Sequence, residues 1–413
     1  MPKVLRILNR FNLGGPTYNA AYLTRYLSND FETLLVGGAN DPSEKNSEYI
    51  VRQLGVDPLI IPSMRREISP IADYDAFHKL RDVIRKFKPD IVHTHASKAG
   101  ALGRHAAISM KVPVIVHTFH GHIFDAYFNK LKTSVYKSVE RHLAKKTNQI
   151  IAISETQKFD LSRKFGICPE EKISVIPLGF DLNRFREGQQ EKREIFRTRY
   201  QIKEDEIAIG IIGRLVPIKN HSMFLEALQI LRSRTSKKIR AFVVGDGESR
   251  ELIKQKATHL GIDFVNGIGD YQPATLTFTS WITEMDYVNA GMDIIALTSL
   301  NEGTPVSLIE AQAAGKPVVS TRVGGIENVV VSGKTALLSE RNDAPDFADK
   351  LLELVSKEDL RNFFSSHGWN QVGEKFHYTR LIWDTENLYN TLLEEKGIIS
   401  LPVSSVGLKA ANY

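Results

Sequence analysis

The stretch from Asp293 to Ser320 constrains this chain more than any other. Asp293 to Leu297 is an apolar run that reads as a buried strand. Gly303 and Pro305 break it, and Pro305 suits the first turn of a helix. Val306, Ile309 and Ala313 then recur at helical spacing. Gly315 and Pro317 stop the helix, and Pro317 to Ser320 starts another strand. Two glutamates bracket the helix start, Glu302 in the loop and Glu310 two turns inside. Exposed backbone N–H groups and the helix dipole favour a phosphate at such a start. Glu302 cannot serve the phosphate, because like charges repel. It suits sugar hydroxyls, which donate to carboxylates, and Glu310 suits a ribose in the same way. A surface loop with two solvated glutamates would carry the same residues. A loop at the carboxyl end of a strand, however, is where open α/β sheets bind ligands.

The same alternation runs along the whole chain and argues for parallel sheets covered by helices. Val4 to Leu8, Thr33 to Val36, Leu59 to Pro62, Ile91 to His95, Pro113 to Thr118, Ile150 to Ile153 and Ile173 to Pro177 read as one set of strands. A second set begins at Ile207 to Ile212 and Ala241 to Gly245. At 413 residues the chain is long enough for two ordinary domains. Gly188 to Arg199 is polar and basic and reads as the connection. The expected division is 1–187, 188–372, a helix within 373–396, and a flexible tail over 397–413. Within Leu260 to Trp281, which holds Gly267, Gly269 and Pro273, Leu276 to Trp281 reads as the strand and the rest as an insertion.

Hydrophobic and charged contents of 42% and 25% are globular values. Cys168 is the single cysteine, which excludes an intramolecular disulfide and a cysteine-type zinc site and fits a reducing cytoplasm. Met1 to Leu13 reads as a first strand, not a signal peptide. No run approaches the ~20 apolar residues that cross a bilayer. The net charge of +6 suggests an acidic partner without naming it.

Chemistry-bearing residues collect at strand ends. Asn12-Leu13-Gly14-Gly15-Pro16-Thr17 follows the first strand, and its glycines allow close backbone approach to a ligand. It is not the Gly-x-Gly-x-x-Gly of a nicotinamide site. His93 and His95 lie at one strand end, ahead of Ser97 and Lys98, and His120 and His122 at the next. They lack the helical His-Glu-x-x-His spacing of a zinc site. Asp73-Tyr74-Asp75 precedes a helical pattern, where capping and the dipole account for acids better than a metal does. Gly213-Arg214 and Lys219-Asn220 put two cations, five residues apart, at a strand end, which suits a diphosphate. Phe128, Leu131, Val135, Val139 and Leu143 share one face of a helix at ~100° per residue. Lys130, Lys137, Arg141 and Lys145 take the opposite face.

Glu302-Gly303, Pro305 and Glu310-Ala311, with Ala313-Ala314-Gly315-Lys316-Pro317-Val318-Val319, resemble the Glu-x7-Glu motif of the family-4 retaining glycosyltransferases. Gly213-Arg214-Leu215 with Lys219-Asn220, and Gly245-Asp246-Gly247, resemble two further loops of that family. His120-Gly121 resembles its strand-end His-Gly. The resemblance covers roughly Val4 to Leu392. It implies a GT-B fold: two facing doubly wound Rossmann-like domains, with a C-terminal helix crossing back to the first. It implies transfer of a sugar from a nucleotide diphosphate sugar, UDP favoured and GDP possible, with retention. His120, Arg214, Lys219 and Glu302 would take the catalytic roles. Gly14, Gly15, Gly213, Asp246, Trp281, Gly303, Thr304, Pro305, Val306 and Glu310 would hold the donor. Ser97, Lys98 and His122 would lie on the acceptor side. No metal or other cofactor is implied, since cations meet the leaving diphosphate. Thr304 departs from the aromatic or aliphatic residue usual there. A nucleotide-sugar 2-epimerase of the same fold and a non-catalytic nucleotide-sugar binder are the alternatives. The expected acceptor is a glycan or lipid-linked saccharide, met on the cytoplasmic side. The face of Lys130, Lys137, Arg141 and Lys145 would meet an anionic membrane surface by charge alone, and no nucleic acid is expected.

Overall fold

The computed structural model describes residues 1–11, 15–38, 48–65, 67–121, 130–267 and 274–400, without the side chains of 130–132. Gly14, His122, Phe128 and the side chains of Lys130 and Leu131, all singled out by sequence, lie outside the described residues. The chain forms two compact units, Met1–Phe180 with everything from Tyr378 onward, and Asp181–His377.

Unit 1 is built on β1 (Lys3–Arg10), β2 (Glu32–Gly38), β3 (Leu59–Ile61), β4 (Ile91–His95), β5 (Val114–Phe119), β6 (Gln149–Ala152) and β7 (Ile173–Val175). They form a seven-stranded sheet in the order β3-β2-β1-β4-β5-β6-β7, parallel at every pairing. Strands buried on both faces read as continuous apolar runs, as these do. Alternate residues sort to two cores. Leu5, Ile7, Val92 and Ile115 pack with the helices Pro70–Phe87 and Ser97–Ser109. Val4, Ile91, Val114 and Val116 pack with the C-terminal helix Tyr378–Glu395, through Leu381, Tyr389 and Leu393. That helix is pinned where it returns. Tyr378 N–H donates to the Phe180 carbonyl at 3.0 Å, and Arg380 donates to the carbonyls of Pro177 and Leu178 at 2.6 and 2.9 Å. On the other face, Gly100 lets helix Ser97–Ser109 settle onto the sheet. A Cβ there would stand 2.4 Å from the His117 ring.

Unit 2 holds β8 (Glu206–Ile212), β9 (Lys238–Val244), β10 (Phe264–Asn266), β11 (Leu276–Ser280), β12 (Ile294–Leu297), β13 (Val318–Thr321) and β14 (Ala336–Ser339). Their order is β10-β11-β9-β8-β12-β13-β14, again parallel throughout. In both sheets the strand order reverses beside the unit's first strand, at β1/β4 and at β8/β12. The carboxyl ends of those pairs form the crevice where such sheets take ligands.

Three sequence expectations are corrected. Gly188 to Arg199 is not a free connection: the helix Gln189–Arg199 belongs to unit 2. Three of its basic residues pair with acids of that unit. Lys192 pairs with Asp286 at 2.9 Å, and Arg193 and Arg197 pair with Asp293 at 2.7 and 3.3 Å. Residues 261–280 are not simply an insertion, since Phe264–Asn266 adds the edge strand β10 beside β11. Finally, helix Lys130–Lys146 is rotated from the expected orientation. Val135 and Val139 are 58% and 40% exposed, while Glu140 is buried. Glu140 turns inward because Arg104, fully buried in the helix Ser97–Ser109, donates to it at 2.6 Å. Arg141 bonds the carbonyls of Phe165 and Gly166 at 2.7 and 2.8 Å, so it does not stand free on an outer face.

Asp293 also accepts from Ala208 N–H at 2.7 Å. Replacing Asp293 by Ala therefore strands Arg193 and Arg197 together, and is expected to cost about 3 kcal/mol. Urea unfolding of Asp293→Ala checks this, and an unchanged midpoint would contradict the assignment of helix Gln189–Arg199 to unit 2.

Candidate functional site

The loop after β8 and the loop after β12 are knitted together at the switch point of unit 2. The first runs through Gly213 and Arg214 into a single 3-10 turn, Pro217–Lys219. Asn220 then takes a left-handed φ of 49° and starts the helix His221–Arg234. From β12, Thr298 donates to the carbonyls of Lys219 and Asn220 at 3.1 and 3.0 Å. Leu300 N–H donates to the Ile218 carbonyl at 2.8 Å. The turn therefore has a fixed place relative to the next loop. Lys219 Nζ meets Glu302 Oε1 at 2.5 Å, with side chains only 20% and 10% exposed. Ser299 Oγ donates to the same oxygen at 2.6 Å. Arg214 lies nearby in sequence and is exposed.

The Glu302 backbone is held from the other side. Gly325 N–H donates to the Glu302 carbonyl at 2.8 Å. Only glycine fits at 325, because a Cβ would lie 1.8 Å from the Gly303 carbonyl oxygen. Gly303 is exposed, Thr304 and Val306 half-buried, and Pro305 buried as the residue that opens helix Val306–Ala313. Two turns in, Glu310 is half-buried by accessible surface, but protein surrounds its carboxyl. That burial pushes its pKa up to about 7, with Arg184 pulling down and Asp286 pushing up. At neutral pH the carboxyl is poised between its two forms, so a polar ligand can decide which prevails.

Asp246 plays a more structural part than expected. It accepts from Gly247 N–H at 2.8 Å and Ser280 Oγ at 2.7 Å, with Arg250 at 3.4 Å. It ties the ends of β9 and β11, and the half-buried Trp281 follows directly from Ser280.

In unit 1 the β4 end carries a buried histidine chain. His93 bonds the Tyr389 hydroxyl at 2.6 Å and Thr118 at 2.7 Å, and His95 Nδ1 lies 3.0 Å from His120 Nε2. Burial lowers all three: His93 and His95 sit well below the usual histidine range, and His120 falls to about 3. They are neutral rings at physiological pH. The next residue, Ala96, adopts φ 66° and ψ 164°. That region is almost exclusive to glycine and costs of order 1–3 kcal/mol, a strain characteristic of functional sites. Ser97 and Lys98 open the helix Ser97–Ser109. Lys98 is not free for an acceptor: it pairs with Asp73 at 2.5 Å and bonds the Glu67 carbonyl. Asp75 pairs with Lys79 at 2.7 Å. Asp73 also accepts from Ser69 N–H at 3.2 Å, which is the capping role expected of it.

Sequence reasoning passed over Thr298, which ties the Lys219 turn to β12, and Arg184, which faces Glu310. It also passed over His221, whose buried ring falls to about 4 and has no partner at either nitrogen among the described residues. Thr298 at the end of an apolar run was a usable signal. For Arg184 the sequence held none.

Known proteins agree with this architecture. Residues 13–184 match the family described as Glycosyltransferase Family 4, and residues 192–370 match Glycosyl transferases group 1. The chain is 30% identical over 343 residues to an Escherichia coli protein, UDP-Gal:alpha-D-GlcNAc-diphosphoundecaprenol alpha-1,3-galactosyltransferase. That match covers 83% of this chain and 85% of the relative. The capsular polysaccharide biosynthesis glycosyltransferase CapM of Staphylococcus aureus is 27% identical over 342 residues, covering 81% of this chain and 85% of CapM. The structure of Anabaena HepE in complex with UDP and glucose superposes with a TM-score of 0.78 at 17% identity, over 95% of this chain and all of HepE. With both halves matched and a relative of this similarity along most of its length, the chain belongs to the family-4 glycosyltransferases of GT-B fold.

Proposed function

We propose that this glycosyltransferase moves a sugar from a UDP-sugar, with retention at the anomeric carbon, to a lipid-linked saccharide in cell-surface glycan assembly. The observation that carries the reading is the Lys219–Glu302 pair at the β8/β12 switch point. A diphosphate at the start of helix Val306–Ala313 would meet backbone N–H groups, Lys219 and Arg214 together. Negative charge grows on that diphosphate as the glycosidic bond breaks, and fixed cations and N–H groups lower the barrier. The departing phosphate oxygen takes the acceptor's proton and keeps the acceptor on its own face. That gives retention without a carboxylate nucleophile. Glu302, relieved of part of its pairing when Lys219 turns to phosphate, accepts from sugar hydroxyls. Glu310 accepts from the ribose, Trp281 borders the base, and His120 faces the sugar. UDP is preferred to GDP because the E. coli relative is named for UDP-Gal and HepE is described with UDP.

The lipid-linked acceptor rests on two supports. The E. coli relative's name specifies a diphosphoundecaprenol acceptor. In unit 1, Val135, Val139, His142 and Lys146 follow one another at helical spacing, and all are exposed. Such a stripe joins apolar to cationic contact, a combination suited to a membrane interface. No helix among the described residues is long and apolar enough to cross a bilayer, so attachment would be peripheral.

Lys219→Ala and Arg214→Ala are expected to lower kcat by about 10²–10³-fold each, with a smaller rise in KM, and wild-type turnover is expected to persist in EDTA. Steady-state kinetics with UDP-galactose, after a thermal-shift screen of UDP- and GDP-sugars, checks this. An unchanged kcat with a raised KM would assign both cations to uniform binding.

UDP-glucose affinity should depend on pH through Glu310. Its carboxyl is protonated below about 7 in the free protein, and the ionised form is the stronger acceptor. Binding that needs the carboxylate must expel this proton at low pH. Affinity therefore rises about tenfold from pH 6 to pH 8. Calorimetry should find that rise in wild type and a flat profile in Glu310→Gln. A pH-independent wild type would take Glu310 out of the site.

Co-sedimentation with anionic vesicles should retain the wild type at low salt. Val135→Glu with Val139→Glu should release it, as should Lys145→Glu with Lys146→Glu. Equal recovery in the supernatant for wild type and both variants would refute the membrane contact.

A further inference from the structure

A chain of buried groups stands behind His120. It begins at Arg6, which is fully buried in β1 with its guanidinium carbon 5.9 Å from the centroid of the Tyr389 ring. The Tyr389 hydroxyl and His93 Nδ1 share a hydrogen bond of 2.6 Å. His93 Nε2 bonds Thr118 Oγ1 at 2.7 Å, so the neutral ring is held at both nitrogens, donating at one and accepting at the other. The ring of His93 then covers that of His95, with centroids 4.2 Å apart. His95, completely buried, has its Nδ1 3.0 Å from His120 Nε2. A single proton fits between those two nitrogens.

The period of the strand explains the assembly. Side chains two apart on β4 share a face, so His93 and His95 both look toward the C-terminal helix that brings Tyr389. Thr94, between them, looks the other way and bonds His117 at 2.8 Å. Neither His93 nor His95 reaches a surface, and no metal ligand set forms among the described residues. Hydrogen bonds from Tyr389 to His93 and from His95 to His120, with the His93 and His95 rings in contact between them, make a line that ends at His120.

We infer that His95 is a positioning residue that holds the His120 imidazole in one orientation, and that Tyr389 secures this arrangement from the C-terminal helix through His93. The inference rests on the proposed role of His120 toward the sugar. The chain acts on the orientation of His120, so it governs turnover more than binding of the UDP moiety, whose proposed contacts Arg214, Lys219, Trp281 and Glu310 lie in unit 2. Asn places an amide nitrogen where histidine has Nδ1, so His95→Asn can keep the bond to His120 while His95→Phe cannot.

The test uses the full-length enzyme and UDP-galactose. His95→Phe and Tyr389→Phe are expected to lower kcat about 10–100-fold, the scale of a misplaced reacting group, with UDP affinity and Tm close to wild type. His95→Asn should recover most of the loss. In the double variant His95→Phe with His120→Ala, kcat should fall no further than in His120→Ala alone, because coupled residues are not additive. ¹⁵N-histidine NMR supplies a readout independent of turnover: Tyr389→Phe should shift both the His93 and His120 resonances. A wild-type kcat in His95→Phe, or an unmoved His120 resonance in Tyr389→Phe, overturns the inference. So does equal loss in the Phe and Asn variants. A wild-type kcat in His120→Ala instead overturns the reading of His120, while the NMR result still decides whether the chain holds its ring.

Discussion

The Lys219–Glu302 pair joins the loops of two adjacent parallel strands, and much of unit 2 is arranged around keeping those loops in place. A parallel sheet offers no hairpin to set the distance between neighbouring loops, because each connection returns through a helix. The loops must be tied by contacts of their own. Thr298 on the carbonyls of Lys219 and Asn220, Leu300 on Ile218, and Gly325 on the Glu302 carbonyl supply these ties. The ion pair is mostly buried, where removing one partner would leave an uncompensated charge. The bond to Glu302 holds Lys219 aimed into the loop.

The strands and the unit-2 site were legible because their signals are local. A parallel strand must be apolar along its length, and a loop that turns into a helix must contain Gly, Pro or a capping residue. Glu302, Lys219 and Arg214 could thus be placed at strand ends before any tertiary information. What escaped was decided across space. The rotation of helix Lys130–Lys146 follows from Arg104, thirty-six positions before Glu140, and no periodicity within the helix announces it. Read alone, the stripe Val135, Val139 and Leu143 is a core face. The buried ion pair overrides it, because a buried guanidinium without a carboxylate costs more than two exposed valines.

The helix Gln189–Arg199 escaped for a related reason. Its composition is that of a linker, and only Asp286 and Asp293, far along the chain, show why its cations are held. The histidine chain was visible as letters but not as an assembly. Four histidines at strand ends invite a metal, whereas Tyr389, from the far end of the sequence, shows that two of them are bonded to neutral partners instead.

The two switch points differ in electrostatic character, and the difference has a physical source. At β8/β12 the groups are charged and Arg214 is exposed, which suits the diphosphate proposed there, since that ligand would bring charge that must be met. Beside the β1/β4 switch point, at the ends of β4 and β5, the groups are neutral imidazoles, driven there by burial. A neutral, hydroxyl-rich ligand gains little from a full charge, and a buried charge without a partner is costly. It gains more from a hydrogen-bonding group whose direction is fixed. The strained Ala96 fits the same demand. It marks the point where β4 must turn abruptly into helix Ser97–Ser109 while His95 stays on the sheet face. A relaxed backbone there would change how His95 leaves the strand, and with it the ring that meets His120.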